Sequence, residues 1–362
     1  GTLIRSSMAG VGFRLAGVAA GFGLGLLLAR TLGPAEFGLY GLTITVASLV
    51  ASLAVLGTPQ LAVREISVRL ARNDVESTTS LVAQFQLAVG LVANLLMVAT
   101  ALATITAAQL RALGHLQQGQ FFDTAGRPLL ALAMVAALVL VSLPLDAALA
   151  TSVQAGTAVL ATIISWAWLK KALPGQFQWR PTGTPWLAAA LPLCGVDFLG
   201  KLDGAYGLVL LGPFSSDEQI GIFRVALACV TLVGMPATVL HVVLAPRVAA
   251  LLAGGERAAL ATLLRRVSMV PGTLLIAFFG EALLTLAFGP AYAAAATPLL
   301  FLAMAQSLFA AFGMGPVLLA MGGAERSLIR IYMVAVSAGI ISAIPLITRF
   351  GADGAAAAQI VS

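Results

Sequence analysis

Charge is what this sequence has least of. Asp, Glu, Lys and Arg make up only 9% of its 362 residues, against 60% hydrophobic ones, and the mean hydropathy is +1.02. A soluble domain carries about 25% charged residues, so this chain cannot cover itself with a polar surface. Cysteine is scarce too. Cys194 and Cys229 both lie inside apolar runs and read as small buried hydrophobes rather than as a disulfide. His115 and His241 stand near the ends of apolar runs, and no Cys or His spacing suits a metal. There is no GxxxxGK[ST] loop and no Ser/His/Asp arrangement that such runs could assemble in view of water. These absences argue against an enzyme, a resident metal and a cofactor, and an ATP-driven pump would need another subunit to supply the energy. The net charge of +6 is scattered between the apolar runs, which argues against a nucleic-acid face.

What is there is a series of apolar runs of roughly 20 residues, each long enough to cross the hydrocarbon layer. None alternates like a barrel strand, so the spans are helices. The first runs from about Ala9 to Ala29, with Gly17, Gly21 and Gly25 four apart, a spacing that lets a neighbouring helix approach closely. A second covers roughly Gly38 to Leu56, and Leu61 to Arg72 reads as an amphipathic helix carrying Arg64, Glu65, Arg69 and Arg72. After a polar stretch from Arg111 to Pro128 come spans near Leu129–Leu143 and Ala147–Leu169. Residues 173–185, rich in Pro, Gly and Gln, read as a cytoplasmic linker between an N-terminal lobe (1–172) and a C-terminal lobe (186–362). The second lobe has spans at about Trp186–Leu211, Gln219–Leu244, Val267–Phe288, Ala293–Met321 and Leu328–Ile347, with a surface segment at Arg247–Arg266. A further span starts at Gly354, and its interruption at Ser362 together with the missing initiator Met reads as a fragment with a truncated C-terminus.

The two lobes look duplicated. Leu32-Gly33-Pro34-Ala35-Glu36-Phe37-Gly38 returns as Leu211-Gly212-Pro213 and, after a slightly longer insert, Gly221-Ile222-Phe223. Gly38 and Gly221 are 221 − 38 = 183 positions apart, and so are Arg64 and Arg247. The expectation is an all-α integral membrane protein of two pseudo-symmetric bundles, a parallel repeat of about 11–12 transmembrane helices.

Basic residues set the orientation. Arg64, Arg69, Arg72, Lys170, Lys171, Arg180 and the arginines of 247–266 fall on one side, cytoplasmic by the positive-inside rule, and the two Leu-Gly-Pro turns fall opposite. For both turns to share a face, an even number of spans must separate them. The stretch Glu76–Leu110, about 52 Å if helical, is too long for one span and short for two. Leu113-Gly114 pairs with Met321-Gly322 at an offset of 208, so the first lobe lacks about 25 residues. Either two short helices are squeezed in there, or a piece is missing.

The first turn, with Ala29-Arg30 before it and Arg64-Glu65 after the next span, resembles the start of the bacterial polysaccharide (O-antigen type) flippases. So do Phe288-Gly289-Pro290-Ala291-Tyr292 and Met321-Gly322-Gly323. These flippases belong to the multidrug/oligosaccharidyl-lipid/polysaccharide exporter superfamily. The resemblance implies two lobes of six helices, a cavity between them open to either side in turn, and export of a polyprenyl-pyrophosphate-linked oligosaccharide across the bacterial inner membrane. It implies lipid-linked oligosaccharide, membrane lipids, a polysaccharide polymerase and glycosyltransferases as partners.

Charges inside spans are costly in lipid and face a cavity or a partner. Asp197, Lys201 and Asp203 sit in one span and Arg224 in the next; Asp197 and Lys201, four apart, share a helix face. One reading is a mutually neutralised cluster that holds the bundle together. The other makes Arg14, Lys201 and Arg224 a basic patch for a lipid pyrophosphate, with Asp197 or Asp203 binding a coupling cation. Asp203 also matches an acidic position of the resembled family's seventh span. Arg14 lies about one turn into its span, where snorkelling to the surface competes. Trp166, Trp168, Trp179 and Trp186 read as interfacial anchors. The runner-up functions are a small-molecule (multidrug) cation antiporter and a non-transporting membrane scaffold for polysaccharide assembly.

Overall fold

The computed structural model describes residues 2–71, 74–92, 95–173, 185–232, 234, 272–312 and 325–362. Among them all regular structure is helical. Five stretches are long and apolar enough to cross a membrane: Ala9–Ala54, Leu116–Leu140, Ala147–Ala172, Pro290–Phe309 and Arg326–Phe350. The chain divides into two compact units, Gly1–Leu24 with Thr43–Phe198 and Gly25–Leu42 with Leu199–Ser362. The division passes through two helices, and residues 174–184 of the expected linker lie outside the described residues.

Helix α1, Thr2–Ala54, holds the first two expected spans in 53 residues, broken at Gly33 (φ 76°, ψ 174°). Pro34 forces that break. Its ring keeps the preceding residue out of the helical region, and glycine takes the left-handed φ without a Cβ clash.

In the first unit, α2 (Thr58–Ala71) confirms the short amphipathic helix: Leu61, Ala62 and Ile66 are fully buried, while Glu65 and Arg69 stand 4.0 Å apart on the polar side. The awkward stretch from Glu76 to Leu110 resolves into two short helices, α3 (Val75–Val92) and α4 (Leu95–Ala112). A buried amide network ties them together. Gln86 Nε2 donates to Thr106 Oγ1 (3.0 Å) and Gln109 Oε1 (2.8 Å), and Gln109 Nε2 donates to the Val82 carbonyl (3.3 Å). Buried and mutually satisfied, these polar groups join the two helices at positions where an unpaired amide would be costly. Phe85, Ile105, Leu110 and Leu169 close the core around them.

One expectation fails here. The polar stretch Arg111–Pro128 does not separate spans; Leu116 to Leu140 is one helical rod made of α5 (Leu116–Gln120), a π-helical turn (Phe121–Gly126) and α6 (Arg127–Leu140). The span therefore begins about a dozen residues before Leu129. Two of its polar groups are matched locally: Asp123 pairs with Arg111, and Thr124 Oγ1 donates to the Gln120 carbonyl, while Gln120 Oε1 is buried without a partner. Helix α7 (Ala147–Ala172) follows, its N-terminus capped by Asp146 Oδ1, which accepts from Leu149 N at 2.7 Å.

Helix α8 (Pro185–Phe214) carries the chain from the first unit into the second, where α9 covers 217–232. His241 and the segment Arg247–Arg266 lie outside the described residues. Then come α10 (Gly272–Phe288), a 3-10 turn (Pro290–Ala295), α11 (Ala296–Phe312), α12 (Glu325–Phe350) and α13 (Ala352–Ala358). Gly289 (φ 105°, ψ 166°) before Pro290 repeats the break at Gly33-Pro34. The two breaks clasp each other. Arg30 Nε and Nη2 donate to the Ala287 and Leu286 carbonyls (2.5 and 2.7 Å), capping the end of α10, and Tyr292 Oη donates to the Ala29 carbonyl (3.0 Å).

Candidate functional site

The residues with chemistry in the second unit gather around Asp203 on α8. Its neighbours come from the segment after α13 and from α12. Gln359 Nε2 donates to the Asp203 carbonyl at 3.3 Å, and Tyr206 Oη donates to Ser362 Oγ at 3.2 Å. Tyr332 of α12 approaches within 3.9 Å of where a Cβ on Gly200 would stand, and Gly339 keeps the space beside the Tyr206 hydroxyl open. Asp203 Oδ1 is buried with no hydrogen-bond partner. A carboxylate oxygen left open among hydroxyl, phenol and amide groups is an acceptor set for a proton or a hard cation, which oxygen ligands suit. No cluster of three His, Cys, Asp or Glu occurs among the described residues, so a cation there would rest on one carboxylate and neutral oxygens.

Arg224 sits apart from that cluster. Half-buried on α9, it lies against the backbone of α1, its Cγ 2.9 Å from where a Cβ on Gly41 would be, beside Tyr40. The same pair of helices makes the tightest seam of the unit. A Cβ on Gly38 would overlap the Asp217 carbonyl oxygen and stand 2.7 Å from Gly221 N. A Cβ on Gly221 would overlap the Pro34 carbonyl oxygen and stand 2.7 Å from its carbon. Gly38 and Gly221 are repeat partners at the offset of 183, and Pro34 and Asp217 each open the helix that carries one of them.

The other expected residues are more scattered. Lys201 is exposed and Asp197 half-buried, on the shared face of α8; Arg14 is exposed in the first unit. Cys194 is buried, Cys229 half-buried, and both are free thiols. Trp168 is exposed, and Lys170 Nζ lies 5.8 Å from the ring centre of Trp166. Sequence reasoning missed Gln359, Ser362, Tyr206 and Tyr332, which carry no charge to single them out. It also missed the in-span charges Asp123 and Arg127, for which the unbroken helical period was the available signal.

Residues 12–132 match the family described as "Polysaccharide biosynthesis protein". Among solved structures, an inward-facing multidrug-resistance MATE transporter of the MOP superfamily aligns with 98% of this chain and 94% of its own, at 12% identity and TM-score 0.74. The likeness is one of fold. The lipid II flippase MurJ shares the MOP fold (13% identity, TM-score 0.65, 99% of this chain and 84% of that one). So does a MOP transporter from Pyrococcus furiosus (12% identity, TM-score 0.65, 99% and 91%). No curated protein matches.

Proposed function

We propose that this protein is a flippase that moves a polyprenyl-pyrophosphate-linked oligosaccharide across the bacterial inner membrane by alternating access of its two lobes. The observation that carries this reading is the match of residues 12–132 to a polysaccharide biosynthesis family on a fold shared with a lipid II flippase. A pyrophosphate brings at least two negative charges into the membrane, and cations must take the place of its water. Arg224, Lys201 and Arg14 are the candidates. Arginine offers a planar fork for phosphate oxygens where lysine offers a point charge. Asp203, with its open Oδ1, is the candidate for the coupling cation, and Asp197 the second carboxylate on that helix. Glycosyltransferases and a polymerase would act before and after the step. A second reading, export of small cationic drugs, draws on the likeness to MATE transporters and would make the acidic residues the cargo contacts.

Surface glycan in a strain lacking its own flippase tests the proposal. The full-length protein should restore glycan export, Asp203→Asn and Arg224→Ala should abolish it, and Arg224→Lys should impair it, with membrane insertion unchanged. If Arg224 only neutralises Asp197 or Asp203, replacing both partners by neutral residues restores export, because an unpaired charge is then the damage. Drug resistance conferred without glycan export would install the second reading.

A further inference from the structure

The stretch Gly25–Leu42 belongs by sequence to the first lobe, yet it packs into the second compact unit. Both of its ends lie inside α1, away from the break at Gly33, so the turn it carries runs into helix on either side. Two kinds of contact hold it there. At the Gly-Pro breaks, Arg30 donates to the Ala287 and Leu286 carbonyls (2.5 and 2.7 Å), and Tyr292 Oη donates to the Ala29 carbonyl (3.0 Å). Further along, glycines bring backbone against backbone or against one side chain. Gly38 and Gly221 face the Asp217 and Pro34 carbonyls; a Cβ on Gly212 would stand 3.1 Å from the Leu42 side chain, and one on Gly41 2.9 Å from Arg224 Cγ.

These are the contacts of a surface that can separate. A helix satisfies its own backbone groups, so two glycine faces part without stranding a donor or an acceptor, and glycine has no side chain to interlock. The polar links stand where water can replace them. Arg30 is exposed, and an open cavity of about 440 Å³ lies between the two breaks, lined by Arg30, Gly33, Pro34, Phe288, Gly289 and Pro290. Water entering there can take over the carbonyls that Arg30 leaves. The first unit is joined differently: Phe85, Ile105 and Leu110 pack around the buried Gln86–Gln109 amides, and parting those helices would strand both.

We infer that this contact is a releasable latch: Arg30 and Tyr292 hold the Gly33-Pro34 turn of α1 against the Gly289-Pro290 break in one state of the protein and free it in another. The need to open rests on the transport reading above; the place of the latch rests on the contacts. Arg30 and Tyr292 are positioning residues that set the balance between the two states.

Spin labels at Ala35 and Ala291, both exposed beside the clasp, read the latch in lipid nanodiscs by electron paramagnetic resonance, with no cargo needed. The parent should show a short-distance population, and Arg30→Ala should raise the ratio of released to latched protein roughly tenfold. Tyr292→Phe should raise it about fivefold. Arg30→Lys should fall between the parent and Arg30→Ala, since it keeps the charge without the fork that spans two carbonyls. A purely structural role would lower the unfolding midpoint of these variants and leave the distances alone, and that result overturns the inference. In the export assay, with Cys194 and Cys229 replaced, the pair Leu42→Cys and Gly212→Cys should stop glycan export when oxidised to a disulfide and restore it on reduction. Export that continues through a fully cross-linked latch, or a pair that never cross-links, also overturns the inference. Where the parent itself exports no glycan, the flippase reading fails, and the label distances alone decide the latch.

Discussion

Adding one methyl group at the seam between α1 and α9 should hold the two helix ends apart. In Gly221→Ala the new Cβ would overlap the Pro34 carbonyl oxygen and lie 2.7 Å from its carbon. Ordinary contact begins at 3.4 Å, so that peptide must retreat by at least 3.4 − 2.7 = 0.7 Å. No flexible side chain can give way, because what is met is backbone at the first turn of a helix. Overpacking of this kind costs roughly 1–3 kcal/mol. A penalty that size, felt only while the seam is closed, shifts a two-state equilibrium by about 5–150-fold toward the state in which the ends have parted. Gly38→Ala should do the same, since its Cβ would overlap the Asp217 carbonyl oxygen and stand 2.7 Å from Gly221 N. Gly221→Val should exceed both. Spin labels at Ala35 and Ser216, both exposed beside the seam, report the separation by electron paramagnetic resonance. The expected result is a longer and broader distance distribution in each variant, graded Ala then Val. Distributions superimposable on the parent's, in all three variants, would refute the backbone-contact reasoning.

Other consequences follow from single contacts. Gln86→Leu removes the donor shared by Thr106 and Gln109 and should cost about 1–2 kcal/mol, seen as a lower thermal unfolding midpoint in detergent; an equal or higher midpoint would show the network to be neutral. Arg30→Ala takes two donors from the end of α10, and amide exchange near Leu286–Tyr292 should speed up several-fold, about 1 kcal/mol of lost protection; unchanged exchange counts against the clasp. Orientation is open to an impermeant thiol reagent in intact cells, with Cys194 and Cys229 first replaced. A cysteine at Ser216 should label and one at Gly255 should not, and the reverse pattern would invert the topology.

The fold class was legible before any coordinates because it depends on composition and period. A chain with 9% charge and runs of twenty apolar residues has one way to satisfy its backbone in lipid, and that way is local. The Gly-Pro breaks at 33–34 and 289–290 were equally legible, since proline acts on its own neighbour. The internal offset of 183 paired Gly38 with Gly221 from the letters alone. Where polar residues decide the outcome, sequence order was a poor guide. Arg111 and Asp123, twelve positions apart, neutralise each other, and that pairing lets Leu116–Leu140 run on as a span through a stretch that reads as a loop. Gln86, Thr106 and Gln109 settle the stretch between Glu76 and Leu110 as two helices because their amides and hydroxyl meet across the pair. Asp203 stood out by its charge, but its surroundings are Gln359 and Ser362, 156 and 159 positions away, and only packing brings them there. The sequence by itself determined which segments prefer lipid and where each must bend, because both are properties of a residue and its near neighbours. The tertiary structure decided which polar groups are tolerable inside, because the cost of a buried charge or amide depends on what stands opposite it.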